Sequence, residues 1–339
     1  MSLYNHLTNR RSTGRVTLAD VAREVGVGAM TVSRALRTPE MVSEVIREKI
    51  QIAVKKLGYV PNLAARDLAS ASSRNIVVVT SSLLSIENNL ILETLQKQLR
   101  FSSFQLVILV ANENSWLSEL INNAPLAVVL LNLPCPKTEA EWIQNSGILC
   151  LEIGPKQTNA VGVNIGIDIK SAVQKVVDYL VNKGYHDIGL LCAKQEQSIS
   201  QQYLACWHRV LHNHRLNSHQ ILYSSEPMTF STGAKLFNDS ISNWGKIDAL
   251  VFLSDQLACG ALFEAQRQHI SIPYEIAIIG LGGLESSEAA YPTLTTLYIP
   301  YAELGQIAGK KLIELLSFPD IDIQKNILLD THLIERESA

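Results

Sequence analysis

The sequence predicts a small all-α helix-turn-helix unit joined to a two-lobed α/β body of parallel sheets covered by helices. Three observations carry that expectation: apolar stripes at helical spacing before residue 62, a serine-rich stretch after it, and apolar runs alternating with amphipathic segments from residue 75 onward. A chain of 339 residues, 47% hydrophobic and 18% charged, holds enough apolar material for a small unit plus larger lobes.

Residues 1–15, "MSLYNHLTNRRSTGR", are polar and read as a flexible tail without the apolar core of an export signal. No run approaches the roughly 20 apolar residues of a membrane span, so a cytoplasmic protein with no membrane partner is expected. The five cysteines, Cys135, Cys150, Cys192, Cys206 and Cys259, are odd in number and mostly embedded in apolar runs. They read as free buried thiols.

Residues 16–61 form the helical unit. Thr17 and Asp20 stand at capping-box spacing, and Leu18, Val21, Ala22 and Val25 recur at helical intervals, so a two-turn helix starts here and stops at Gly26. The short "GVG" turn leads into a second helix. Its Val32, Ala35 and Leu36 face inward, which leaves Ala29, Met30, Ser33, Arg34 and Arg37 outside. A third helix starts at Ser43 with Ile46, Ile50, Ala53, Val54 and Leu57 as its stripe, and Gly58 ends it.

Charge follows the same boundary. The net charge is −3, yet residues 1–74 carry twelve Lys/Arg against six Asp/Glu, and the remaining chain carries 17 against 26. A basic end on an acidic body is the footprint of a protein that meets a polyanion through one small part. Against a major groove, the N-terminal turn of the second helix is the part that reaches base edges. Ala29 and Met30 would read by apolar contact, Arg34 by paired hydrogen bonds to guanine. Thr17, Thr31 and Ser33 suit phosphate or mixed contacts. Met30 as a core filler is the competing reading.

The run "LADVAREVGVGAMTVSRALR", with "VSEVIREKI", "LGYVPN" and "AARDLAS" after it, resembles the headpiece of the lactose/galactose-repressor (LacI/GalR) family of bacterial transcription regulators. The resemblance implies a double-stranded, near-palindromic operator read by a homodimer. It assigns base reading to Ala29 and Met30, and it makes residues 62–74 a hinge that becomes helical when two copies meet on DNA. Ala65 and Leu68 fall in that hinge, and Leu68 matches the leucine that wedges into the minor groove. Simple linker packing is the alternative for Leu68.

Residues 75–339 form the body. The runs "NIVVV", "FQLVILV", "LAVVLL", "GILCLEI", "DIGLLCA", "DALVFLS" and "EIAIIG" read as buried parallel strands, and stretches such as "IKSAVQKVVDYLVNKGY" as the helices between them. Their number suggests two lobes. This part resembles the periplasmic-binding-protein-like effector domain of the same family, which implies a small-molecule effector between the lobes. The resemblance places Asp168, Tyr203, Phe230, Ser254, Asp255 and Gly282 around it. Core packing for Phe230 and a helix N-cap for Asp168 are the competing readings.

The chain departs from the family at several of these positions. Tyr203 stands where relatives carry a ligand-clamping arginine, Cys206-Trp207 replaces Gly-Tyr, and Gly282 replaces a sugar-gripping aspartate. The "MTVSR" run and the "GLGG" stretch look closest to the gluconate-repressor branch, which implies a sugar-acid effector and carbohydrate-metabolism genes. An anionic ligand would want a cation that the sequence does not identify. The absence of a leucine heptad after residue 316 predicts a dimer without a tetramerising tail.

Two other classes share the body's architecture: a soluble sugar-binding protein and a doubly wound enzyme. The basic headpiece opposes the first. For the second, Gly280, Gly282 and Gly283 imitate a dinucleotide loop, but Glu285 stands at its third glycine position. No nucleophile elbow, phosphate loop or metal-type spacing appears, and His208, His212 and His214 read as exposed polar residues. No enzyme activity, cofactor or metal is expected.

Overall fold

The computed structural model describes residues 16–60, 73–111, 116–194, 197–318 and 324–339. The tail 1–15 and the hinge residues Ala65 and Leu68 lie outside the described residues. The chain divides into two units, Met1–Ser72 and Ser73–Ala339.

In the first unit, α1 (Leu18–Val25) and α2 (Ala29–Arg37) are followed by a 3₁₀ turn (Pro39–Met41) and α3 (Glu44–Leu57). The capping box is present: the Thr17 hydroxyl accepts from the Asp20 amide and the Asp20 carboxylate accepts from the Thr17 amide. Val21, Ala22, Val32, Ala35, Ile50 and Ala53 form the core, one pair from each helix. Ser43 and Gly58 flank α3 as the spacing predicts.

The second unit holds two six-stranded sheets. Lobe 1 carries β1 (Asn75–Thr80), β2 (Gln105–Val110), β3 (Pro125–Leu131), β4 (Leu149–Pro155), β5 (Val163–Ile167) and β11 (Asn326–Leu329), in the order β11-β5-β4-β3-β1-β2, all parallel. Lobe 2 carries β6 (Ile188–Lys194), β7 (Ile221–Pro227), β8 (Ala249–Phe252), β9 (Ala277–Gly282), β10 (Thr295–Tyr298) and β12 (His332–Ile334), in the order β12-β10-β9-β8-β6-β7. Only β12 runs antiparallel to its neighbour.

Strand alternation explains why these runs are apolar throughout. Ile76 and Val78 face one helical layer, α4 (Ile86–Leu99) with α12 (Tyr301–Ser317). Val77 and Val79 face the other, α5 (Leu117–Asn122) with α6 (Lys137–Ser146). Lobe 2 repeats the arrangement. Leu190 and Val251 point at α7 (Ile169–Asn182) and α8 (Gln197–Asn213), and Leu191 and Leu250 at α9 (Phe230–Trp244) and α10 (Asp255–Arg267). A sheet covered on both faces leaves no polar side to its strands.

The chain passes between the lobes three times: from β5 into α7, from β10 into α12, and from β11 into β12. Asp168 caps α7 at the first crossing, Tyr301 opens α12 at the second, and Asp330 and Thr331 form the third. Lys175 of α7 ties the third crossing down by donating to the Asp330 carboxylate at 2.8 Å and to the Thr331 carbonyl.

Candidate nucleic-acid interface and interlobe cleft

α1 and α2 are joined by a turn that needs Gly26. Its φ of 73° is left-handed, where a side chain would be strained, and its amide closes α1 onto the Ala22 carbonyl at 3.0 Å. The chain then reverses into α2, whose Val32 and Ala35 are buried. The opposite face is open: Met30 is 76% exposed, Ala29 and Arg34 are exposed, and Thr31 and Ser33 are half-buried. Met30 is therefore not a core filler. Gly28, the N-cap, gives no side-chain hydrogen bond to the first turn, so the amide end of α2 points outward with its partial positive charge.

Charges around this face are sorted by partner. Arg23 pairs with Asp20 at 3.0 Å, Arg47 with Glu44 at 3.4 Å and Lys56 with Glu24 at 2.7 Å. Among the described residues Arg34 has no carboxylate partner. Thr17 is exposed, and its hydroxyl is occupied locally by donation to Asp20 at 2.7 Å.

In the second unit, the C-terminal ends of the two parallel sheets meet, the place where open α/β folds bind ligands. Ser85 caps α4 behind β1, and Glu87 follows in the first helical turn, only 8% exposed. Glu87 Oε2 accepts from the Ser85 hydroxyl at 2.8 Å. Across the gap, Ser254, the N-cap of α10, donates to Glu87 Oε1 at 3.4 Å. This hydrogen bond joins the lobes at the cleft.

Behind Ser254 lies Asp255, with no exposure. It accepts from the Thr296 hydroxyl at 2.6 Å and the Leu284 amide at 2.7 Å. Burial pushes its pKa up to about 6 against the pull of those two bonds, and Glu87 adds to the rise. Gly282 makes room for this arrangement: a Cβ there would sit 3.3 Å from Asp255 Oδ2, at a φ of 144°. Asp255 is thus committed to tying α10 to β10 and to the Leu284 cap between β9 and the short helix α11 (Glu285–Ala289).

The other sequence-derived positions separate. Tyr203 is buried in lobe 2 beside Trp207, and burial, followed by Cys206 and Glu87, raises its hydroxyl pKa. Asp168 takes the N-cap role, accepting from the Lys170 and Ser171 amides at 2.9 and 3.3 Å, with Lys156 at 3.8 Å. Phe230 is 40% exposed and lays its ring on Phe263 at 5.8 Å. Tyr203, Ser254, Asp255 and Gly282 therefore gather near Glu87, whereas Asp168 and Phe230 make their contacts elsewhere.

Sequence reasoning missed Glu87 and Tyr301, whose hydroxyl pKa is raised well above the ordinary value by burial and by Glu87. The signal was present in "SSLLSIENN": a serine cap and an acidic residue directly after an apolar strand. The histidine cluster is taken up locally. His214 bonds Asp178 at 2.7 Å and His208 bonds Ser218 at 3.0 Å. The five cysteines are free, and burial pushes Cys192 and Cys259 up to about 11, away from thiolate chemistry.

Comparison with known proteins agrees with both units. Residues 17–62 match the bacterial regulatory proteins of the lacI family, and residues 177–339 match the periplasmic binding protein-like domain. The HTH-type transcriptional regulator GntR of Pseudomonas aeruginosa is 28% identical over the whole of both chains. A LacI-family transcriptional regulator from Silicibacter pomeroyi has 25% identity and a TM-score of 0.86, covering 95% of this chain and 99% of its own. The Lac repressor dimer bound to operator and the anti-inducer ONPF shares the fold at a TM-score of 0.81 and 23% identity, over 96% of this chain and 99% of its own. With a headpiece core, an open face on α2 and a two-sheet body all of that kind, the chain carries a lacI-family helix-turn-helix domain and a periplasmic-binding-protein-like domain, the build of its DNA-binding transcriptional-regulator relatives.

Proposed function

We propose that the protein acts in the cytoplasm as a homodimeric repressor of carbohydrate-metabolism genes, holding a near-palindromic operator under the control of a small molecule bound between its lobes. The observation that carries this reading is the first turn of α2, where an apolar side chain stands 76% exposed beside an unpaired arginine. Ala29 and Met30 contact thymine methyls, and Arg34 donates two hydrogen bonds to a guanine. Thr17, Thr31 and Ser33 fix the register on phosphates. Ala65 and Leu68 enter the minor groove where two hinges meet, the leucine opening a base step at a cost offset by contacts that the bend allows.

The effector acts through its different affinity for two lobe arrangements, since an equal binder shifts nothing. The likeness of the "MTVSR" and "GLGG" stretches to the gluconate-repressor branch supports a carbohydrate-linked role, and relatives named HTH-type transcriptional regulator GntR support the regulatory one. The sugar-acid reading of the effector meets an obstacle in the cleft, where the described groups include Glu87 and Asp255 and no Lys or Arg bonds to either.

Selection of duplexes from a random library, followed by fluorescence anisotropy, tests the reading. The wild-type chain is expected to enrich a two-fold-symmetric site. Arg34→Ala should cost about 1–3 kcal/mol on that site and little on unrelated duplex. Equal losses on both would remove Arg34 from base reading, and failure to enrich any sequence would remove the operator itself.

A further inference from the structure

Among the described residues, the Glu87 carboxylate in the cleft bonds to no cation. Glu87 is withdrawn from water, and its hydrogen-bond partners are two neutral hydroxyls, Ser85 at 2.8 Å and Ser254 at 3.4 Å. Asp255 follows Ser254 and has each oxygen engaged, by the Thr296 hydroxyl and the Leu284 amide, so it brings a second acidic group and no cation. Tyr203 and Tyr301, the other groups that feel Glu87, stay protonated and neutral. The positive end of α4 offsets part of the Glu87 charge, because the residue lies in its first turn. Among the described residues no Lys or Arg side chain bonds to Glu87.

A second, independent feature points to a ligand. The hydroxyl of Ser200, a residue only 7% exposed, has no hydrogen-bond partner. It stands three residues before Tyr203 on α8, on the same helical face. One turn further, Trp207 Nε1 is also buried without a partner, beside a small cavity that Tyr203 shares. Buried polar groups are normally satisfied, so the unfilled Ser200 hydroxyl, on the helix whose Tyr203 feels Glu87, leaves a place for a ligand's polar group, whereas the Trp207 indole faces an apolar cavity inside lobe 2.

We propose that the interlobe cleft binds a small hydroxyl-bearing amine in its protonated form, with Glu87 pairing the ammonium group. The ligand replaces the Ser254–Glu87 hydrogen bond, so its arrival alters a polar contact that joins the lobes. Charge also decides rejection. A carboxylate ligand placed here would face Glu87 and Asp255 in a low-dielectric space, where like charges repel strongly. The inference rests on the reading of the cleft as the effector site and names the class of effector.

Three six-carbon probes separate the cases, the pyranoses glucosamine and glucose and the open-chain acid gluconate, titrated into the full-length protein by calorimetry. Glucosamine is expected to bind at least tenfold tighter than glucose, with gluconate weakest. In Glu87→Gln, an isosteric change, the amine preference should vanish, so that glucosamine and glucose bind alike. Gluconate binding most tightly, no binding by any of the three, or an amine preference that survives Glu87→Gln would each overturn the proposal. The wild-type ranking stands as a test even where the variant fails to fold. Anisotropy with operator DNA, measured on the same preparation, separates the two readings. Loss of DNA recognition would sink the regulator reading, whereas intact recognition with the wrong ligand ranking would sink only this inference.

Discussion

At the scale of single residues, Asp255 makes a prediction through its proton. Its folded pKa of about 6 lies above the ordinary 3.8, so between those values the folded state holds a proton that the unfolded chain has lost. Stability therefore falls as pH rises through this window, by about 3 kcal/mol in total, and the cost is fully present above about pH 6. Asp255→Asn keeps an acceptor for the Leu284 amide and removes the titration. Urea midpoints measured from pH 4 to 7 should thus fall more steeply in the wild type than in the variant. Parallel curves would show that Asp255 is ionised normally. The same residue marks a limit of reading from sequence. "LSDQLACGAL" offered Asp255 as a position near a ligand; the structure puts it behind Ser254 at the interlobe cleft, with its oxygens engaged by Thr296 and Leu284. Which side chain of a cleft is free depends on partners about 30 and 40 positions away, and no local pattern encodes them.

At the scale of elements, the headpiece is the most legible part. Its helices announce both ends, Thr17 with Asp20 at one and Gly26 or Gly58 at the other, and each stripe has the helical period. Thr17→Ala should remove the capping box and cost about 1 kcal/mol. In a unit this small that lowers its melting transition by about 4–8 °C, read by far-ultraviolet circular dichroism; Thr17→Ser should restore most of it. An unchanged transition would mean that the box is ornamental to α1. Strands were legible where burial is complete. β1, β3, β4, β6, β8 and β9 coincide with continuous apolar runs, and the edge strand β2 was legible too, because "FQLVILV" stays apolar although much of it is exposed or half-buried. β7, β10, β11 and β12 escaped because they are short or lie at sheet edges, where "ILYSSEP" and "HLI" mix polar and apolar residues. β5, "VNIGI", is fully buried but interrupted by Asn164, whose side chain is satisfied by the Glu152 and Pro155 carbonyls. A buried asparagine looks like a turn until its partners are known.

At the scale of the molecule, the proposed function links DNA reading and effector control through the hinge expected at residues 62–74. If Leu68 wedges into the operator, Leu68→Ala should weaken specific binding much more than binding to unrelated duplex, because only the bent complex uses the wedge. Equal weakening, measured by anisotropy at one fixed salt concentration, would assign Leu68 to linker packing instead; the salt must be fixed because phosphate contacts alone make affinity fall with ionic strength. The family and the two-lobed body were visible in the sequence, and the charge character of the cleft was not. Glu87 comes from lobe 1 and Ser254, Asp255 and Tyr203 from lobe 2, so their meeting is a property of tertiary structure.

The three crossings between lobes also order events during synthesis. Lobe 1 needs α12 to cover α4 and β11 to complete its sheet, and both come from residues made after nearly all of lobe 2. At typical translation speeds the first piece waits on the order of ten seconds for the second. During that interval the apolar surface of α4 is uncovered on the ribosome, an invitation to chaperones and to neighbouring nascent chains. A premature stop just before Tyr301 would accordingly spare most of the later lobe and ruin the earlier one.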